Sequence, residues 1–120
     1  MSLQEEISKA IGAHAVWKMR LHTAIDVGKS DAAAGDVAKD NACPFGQWLY
    51  GSSIPAAVRA SANYATVRKL HADFHQCAAK VIECVGQGHK AQAYALMDGD
   101  YAKVSGDLAA AMIKWKAVAQ

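Results

Sequence analysis

The sequence predicts an all-α protein: a four-helix bundle with an additional short helix that carries a Cys-Pro-Phe-Gly-x-Trp block. Three observations predict it. Apolar residues recur at three- and four-residue spacing through three long segments, no run alternates in the manner of a strand, and Gly, Pro and Asp collect between the segments. With 120 residues, 52% of them hydrophobic, the chain has the length of one domain and enough apolar side chain for one modest core, so residues 1–120 are read as a single domain.

The first helix spans residues 3–27, where Leu3, Ile7, Ile11, Trp17, Leu21 and Ile25 mark one face. Continuing that stripe requires a core-facing residue at position 14, and the sequence places His14 there. Residues 28–41 (GKSDAAAGDVAKDN) contain almost no large apolar side chain and read as a loop. Residues 41–51 then pack Phe45, Trp48, Leu49 and Tyr50 between two turn signals. Pro44 suits the first turn of a short helix, which makes Cys43 its N-cap.

Residues 52–61 form a connector with room for a helical turn. From 63 to 85 the helical period returns through Tyr64, Val67, Leu70, Phe74, Ala78, Val81, Ile82 and Val85, and Gly86-Gln87-Gly88 stops it. The last segment, residues 91–119, sets Tyr94, Met97, Tyr101, Val104, Leu108, Met112, Trp115 and Val118 on one broad face, with Gly99 as its expected interruption.

Charge and composition narrow the function. Thirteen Lys plus Arg against eleven Asp plus Glu leave a net charge of +2, and the basic residues are scattered, so nucleic acid is not expected as a partner. No apolar run approaches the roughly 20 residues that span a bilayer, and Glu5 and Glu6 stand where a signal peptide would be basic. The expectation is a cytoplasmic protein without a membrane partner. Cys77 and Cys84 lie on one helix with Cα atoms roughly 10 Å apart, beyond disulfide reach, which fits a reducing compartment with thiolate available to metals.

The chemistry gathers on four residues. His71 and His75 are one helical turn apart on one face, His14 adds a third imidazole from a core slot, and Cys43 adds a sulfur at a helix N-terminus, where a lowered thiol pKa is expected. Each alone has an ordinary reading: a packed core histidine, an exposed helical pair, a small buried thiol. Jointly they form a Cys/His₃ set that matches the tetrahedral nitrogen-and-sulfur preference of Zn²⁺. Four protein ligands leave no position for an activated water, so the expected role is structural or sensory and not enzymatic. With Glu5, Glu6 and Glu83 as its only glutamates, the chain lacks the carboxylates of a di-iron bundle. His22 near the polar edge, His89 after a Gly-rich turn, and Cys77 and Cys84 as core or interface residues stand outside the set, and Trp17, Trp48 and Trp115 are expected to pack the bundle and shield the metal from water.

Three blocks carry a resemblance to a known family. They are residues 13–21 around His14 (AHAVWKMRL), residues 43–51 from Cys43 (CPFGQWLYG), and residues 71–75 (HADFH). In order and spacing they resemble the chemoreceptor zinc-binding (CZB) domain of bacterial chemotaxis receptors and diguanylate cyclases. The resemblance implies a cytoplasmic four-helix bundle that binds zinc, pairs into a homodimer and reports zinc or oxidants to an output module. The 120 residues hold neither a methyl-accepting coiled coil nor a cyclase domain, so a separate or truncated signalling output protein is the implied partner. Two rivals remain at the level of sequence: a zinc hydrolase with a labile ligand, and a metal-free helical interaction bundle.

Overall fold

The computed structural model describes residues 2–119. Among these residues the structure is all-α, without strands, in the order α1 (Leu3–Val27), α2 (Ala34–Val37), α3 (Pro44–Tyr50), α4 (Ala56–Arg59), α5 (Ala62–Gly86), α6 (Lys90–Leu96), a π-helical turn (Met97–Tyr101) and α7 (Ala102–Val118). The ends of the long helices follow local chemistry. Ser2 caps α1 by accepting the Glu5 N–H at 3.1 Å, and Gly28, at φ 79°, ends it in the left-handed conformation that glycine adopts without steric cost. Ser61 caps α5 in the same way through the Tyr64 N–H at 3.2 Å.

The first and fifth helices match the sequence reading closely, and the last segment differs from it in kind. Gly99 does not break the helix. Residues 90–118 run on through helical dihedrals, with one wide turn at Met97–Tyr101 that inserts a residue into the register and keeps Met97 and Tyr101 buried. The long elements among the described residues are therefore three rods: α1, α5, and the continuous α6–α7 rod. The bundle contains short helices where a fourth long one would lie.

Two of these short helices matter for the site. The expected loop at 28–41 contains the one-turn α2, because Val37 buries its side chain at 6% exposure and anchors an otherwise polar stretch. Helix α3 is fixed at its C-terminal end. Its last turn is tied to α5 by the buried Tyr64 hydroxyl, which donates to the Leu49 carbonyl at 2.7 Å, while Trp48 packs against Trp115 of α7 at 5.9 Å. The core between the rods is built from Ile7, Leu21 and Ile25 of α1, Val67, Phe74 and Val81 of α5, and Tyr101, Leu108, Met112 and Trp115 of the third rod. Val118, placed on the buried face by its spacing, is instead 61% exposed at the end of the rod.

Candidate metal centre

The donor atoms of His14, Cys43, His71 and His75 all lie within 4.8 Å of one another. Helix periodicity accounts for two of them directly: one turn of α5 separates His71 from His75 and aims both rings inward, at 0% and 2% exposure. His14 arrives from α1 at 7% exposure, and Cys43 from the N-cap of α3.

The separations suit a tetrahedral ion. Bond lengths of ~2.0 Å to nitrogen and ~2.3 Å to sulfur place two nitrogens about 3.3 Å apart and a nitrogen and a sulfur about 3.5 Å apart. Here His71 Nε2 and His75 Nε2 are 3.1 Å apart, and Cys43 Sγ stands 3.4 Å from the first and 3.6 Å from the second. These three atoms match one face of such a tetrahedron, and the donor nitrogen of His14 lies within 4.8 Å of them.

Tautomers point the same way. His14 Nδ1 donates to the Ala10 carbonyl at 2.8 Å and His75 Nδ1 to the Val37 carbonyl at 2.9 Å, which leaves the Nε2 lone pair of each ring facing the cluster. His14 Nε2 is buried without a hydrogen-bond partner among the described residues, the kind of orphaned acceptor that a cation satisfies. His71 differs, because its Nδ1 is buried with no such carbonyl to hold it. The donors present therefore fit zinc in number and type, and Cys43, His71 and His75 also in spacing.

Electrostatics keeps the imidazoles neutral. Burial holds His14, His71 and His75 below the ordinary histidine range, and takes His71 to about 2 with the neighbouring His75 and His14 adding to the effect. The Ala10 and Val37 carbonyls offset part of the shift at His14 and His75. At Cys43 the expected lowering is corrected. The N–H groups of Gly46 and Phe45 do pull the thiol down, but burial outweighs them and the net shift is upward. The proton would leave when a dication binds, since coordination deprotonates a thiol outright.

Some of the surrounding residues were not singled out by sequence. Phe45 and Phe74 pack edge-on against His14 at 5.8 and 5.1 Å, and Phe45 also meets His71 at 5.1 Å. Asp40 lies close enough to draw the His75 pKa upward and accepts a hydrogen bond from Tyr50, a negative charge that would face the net +1 of a dication bound to the Cys43 thiolate. Gly46 has a steric reason: a Cβ there would stand 1.7 Å from the Asp40 carbonyl oxygen, so only glycine lets α3 approach the loop and donate its N–H to Cys43 Sγ at 3.3 Å.

The tryptophans divide. Trp17 reaches His75 at 6.5 Å, Trp48 stacks on Phe45 at 5.6 Å, and Trp115 packs with Trp48 and Tyr64, so Trp115 serves the core while Trp17 and the two phenylalanines border the cluster. His22 rests near Tyr94, His89 is exposed, Cys77 is half-buried and Cys84 buried, and none of them joins the cluster.

Comparison with known proteins adds one finding. The family model described as the chemoreceptor zinc-binding domain matches residues 14–82, more than half of the chain and a span that includes all four donors. No curated protein and no solved structure is similar enough to match it.

Proposed function

The chain belongs to the chemoreceptor zinc-binding domain family, and on that premise we propose that it is a zinc-binding sensor domain of bacterial signal transduction, of the chemotaxis or cyclic-di-GMP type. The observation that carries the reading is the convergence of His14, Cys43, His71 and His75 within 4.8 Å in an otherwise apolar core. The four residues hold one Zn²⁺, the ion fastens α1, the start of α3 and α5 together, and the domain works by binding and not by catalysis. When bound, zinc would supply a cross-link between these elements, and structural zinc sites contribute about 10–16 kcal/mol of apparent binding free energy.

The direct test is metal analysis of protein purified without added zinc, combined with X-ray absorption. One zinc per chain with one sulfur and three nitrogens supports the sensor. A water oxygen in the coordination shell favours the hydrolase, and protein free of metal returns the cluster to packed histidines.

Cys43 is the switch in this reading. It is the sole sulfur of the set, half-buried, and carried by a seven-residue helix that can shift without unfolding the rods. Hypochlorous acid would oxidise the thiolate to a sulfenic acid with release of chloride, weakening the bond to zinc and freeing the α3 segment. Loss of zinc acts in the same direction, so availability of the metal and oxidants share one mechanical output. Zinc release and hydrogen exchange at residues 40–51 after mild oxidation test this; a Cys43 that is oxidised while the segment stays protected would refute it.

A homodimer belongs to the same proposal, with output passed to a separate protein or to further domains in the cytoplasm. It is supported by large apolar side chains exposed on neighbouring helices, Val16 (54%) and Met19 (73%) on α1 and Ile113 (58%) on α7. Sedimentation equilibrium at tens of micromolar should give twice the chain mass. Among the described residues no helix is long and apolar enough to cross a membrane.

A further inference from the structure

The segment that delivers Cys43 is tied to two helices in turn. In its first half the Val37 carbonyl accepts the His75 Nδ1–H at 2.9 Å and the Ala38 carbonyl accepts the Gln76 amide at 3.3 Å, both from α5. In its second half the partners come from α3: the Ala42 carbonyl accepts the Gln47 amide at 3.2 Å, and the Asp40 carboxylate accepts the Tyr50 hydroxyl. Residue 40 meets α3 a second time, through the carbonyl oxygen that lies against Gly46. Asp40 is half-buried, and among the described residues no Lys or Arg forms an ion pair with its carboxylate. Tyr50 remains a donor to it, because burial and that hydrogen bond push the phenol up to about 12.

We infer that Asp40, clasped by Tyr50, is a positioning residue of the metal centre: the hydrogen bond holds residues 40–43 against α3 so that Cys43 faces His71 and His75, and the carboxylate is the counter-charge of the loaded site. The inference rests on the reading of the four donors as a zinc site. Its two parts are separable. The hydrogen bond acts on geometry, since Asp40 precedes Cys43 by only three residues and fixing it leaves the sulfur a short tether, with or without metal. The carboxylate acts on charge. Three neutral imidazoles and a thiol carry no net charge, whereas the same set with a thiolate and a dication carries +1, which a nearby anion favours. Burial dominates the shifts at His75 and Cys43, and the Asp40 carboxylate adds an upward pull at both, so it lies within electrostatic reach of two of the four donors.

The test compares Tyr50→Phe, which loses the hydrogen bond and keeps the charge, with Asp40→Asn, which keeps an oxygen acceptor for Tyr50 and loses the charge. Hydrogen exchange of the metal-free proteins reads position. At residues 38–47 Tyr50→Phe should exchange about tenfold faster than wild type, and Asp40→Asn within about twofold of it. Competition titration with zinc reads charge. Asp40→Asn should bind about tenfold more weakly at about 0.01 M sodium nitrate, where the Debye length is ~30 Å, and that deficit should narrow to about threefold or less at about 1 M, where it is ~3 Å. Tyr50→Phe should lose about threefold at both salt concentrations. Wild-type exchange in Tyr50→Phe overturns the clasp. An Asp40→Asn deficit that is absent, or identical at the two salt concentrations, overturns the counter-charge, since a residue that merely supports the fold gives a loss insensitive to salt. A wild-type chain that binds no zinc overturns the site itself, and exchange measured without metal still judges the clasp, so the two failures are distinct.

Discussion

His71 and His75 sit in the interior of the bundle on one uninterrupted helix, while His14 and Cys43 face a groove, and Cys43 stands at the end of a seven-residue helix. The two halves of the cluster are positioned by different physics. The interior pair is set by the register of α5, with the Val37 carbonyl of α2 fixing the His75 ring. The groove half depends on tertiary contacts: the Tyr64–Leu49 hydrogen bond, the Trp48–Trp115 packing and the close approach that Gly46 permits. The contrast is between a half that rests mainly on the register of one helix and a half that rests on contacts between elements.

The largest expected effect comes from the interior. His71→Ala or His75→Ala removes a buried donor and leaves a cavity beside three remaining donors, so zinc affinity should fall by more than about 100-fold, beyond the loss typical of removing an outer-shell partner. Dialysis against a moderate chelator followed by metal analysis measures it. Stoichiometric zinc in both variants would break the assignment of the site.

Gly46→Ala attacks the other half without touching a donor. Its Cβ, 1.7 Å from the Asp40 carbonyl oxygen, must push the start of α3 away from residue 40 and with it Cys43. Affinity should drop by about 10- to 100-fold, the range for disturbed outer-shell partners, with helix content near wild type because α1 and α5 are untouched. Circular dichroism and a competition titration read both quantities; full affinity in a folded variant would mean that Cys43 does not need this approach.

The difference between these two variants parallels what the sequence made legible. Leu3–Val27 and the core slot of His14 follow from periodicity and caps, as does the His71–His75 pair, and Cys43 as an N-cap follows from Pro44. Less legible is what depends on distant packing. Helix α2 hangs on the single apolar Val37 and on a carbonyl that meets His75 of α5, and no local pattern encodes that meeting. Asp40 looked like one polar loop residue among several. Gly99 signalled a break because glycine weakens helices, yet the buried Met97 and Tyr101 hold the turn together in wide form. The thiol shift went the other way because exposure sets the balance between helix-end donors and desolvation, and exposure is a property of the fold.

Metal-free protein offers an effect of intermediate size that sets His71 apart from the two carbonyl-bonded histidines by pH. A histidine whose folded pKa lies below its unfolded value of 6.5 costs stability once the unfolded chain begins to protonate and the folded chain does not. Stability is therefore complete above about pH 7 and is lost as pH falls from 6.5 toward the folded pKa. For His71, at about 2 when folded, this loss comes to about 1.4 kcal/mol at pH 5.5, or roughly 5 °C in Tm, with His14 and His75 acting in the same direction. His71→Leu should flatten the melting profile between pH 7.5 and 5.5 more than His14→Leu, since the Ala10 carbonyl offsets part of the shift at His14. Equal flattening would remove this distinction between His71 and His14.

The smallest effect sharpens the comparison most, because it concerns access without affinity. Arg20 lies over Trp17 at 4.1 Å, and its ion pair with Asp31 joins side chains that are 44% and 88% exposed, so that pair contributes little. The cation–π contact is worth about 0.5–1 kcal/mol at an exposed site, and Arg20→Ala should lower stability by no more than that. Trp17, however, edges the groove and reaches His75 at 6.5 Å, so a less restrained ring opens the path to the ion. Zinc should bind with affinity unchanged within about twofold while both association and release quicken by about two- to threefold, because a lid changes the barrier and not the end states. Stopped-flow binding and release on the same preparation give both rates. A fall in affinity comparable to that of a lost donor would place Arg20 in the support of the site and not at its entrance.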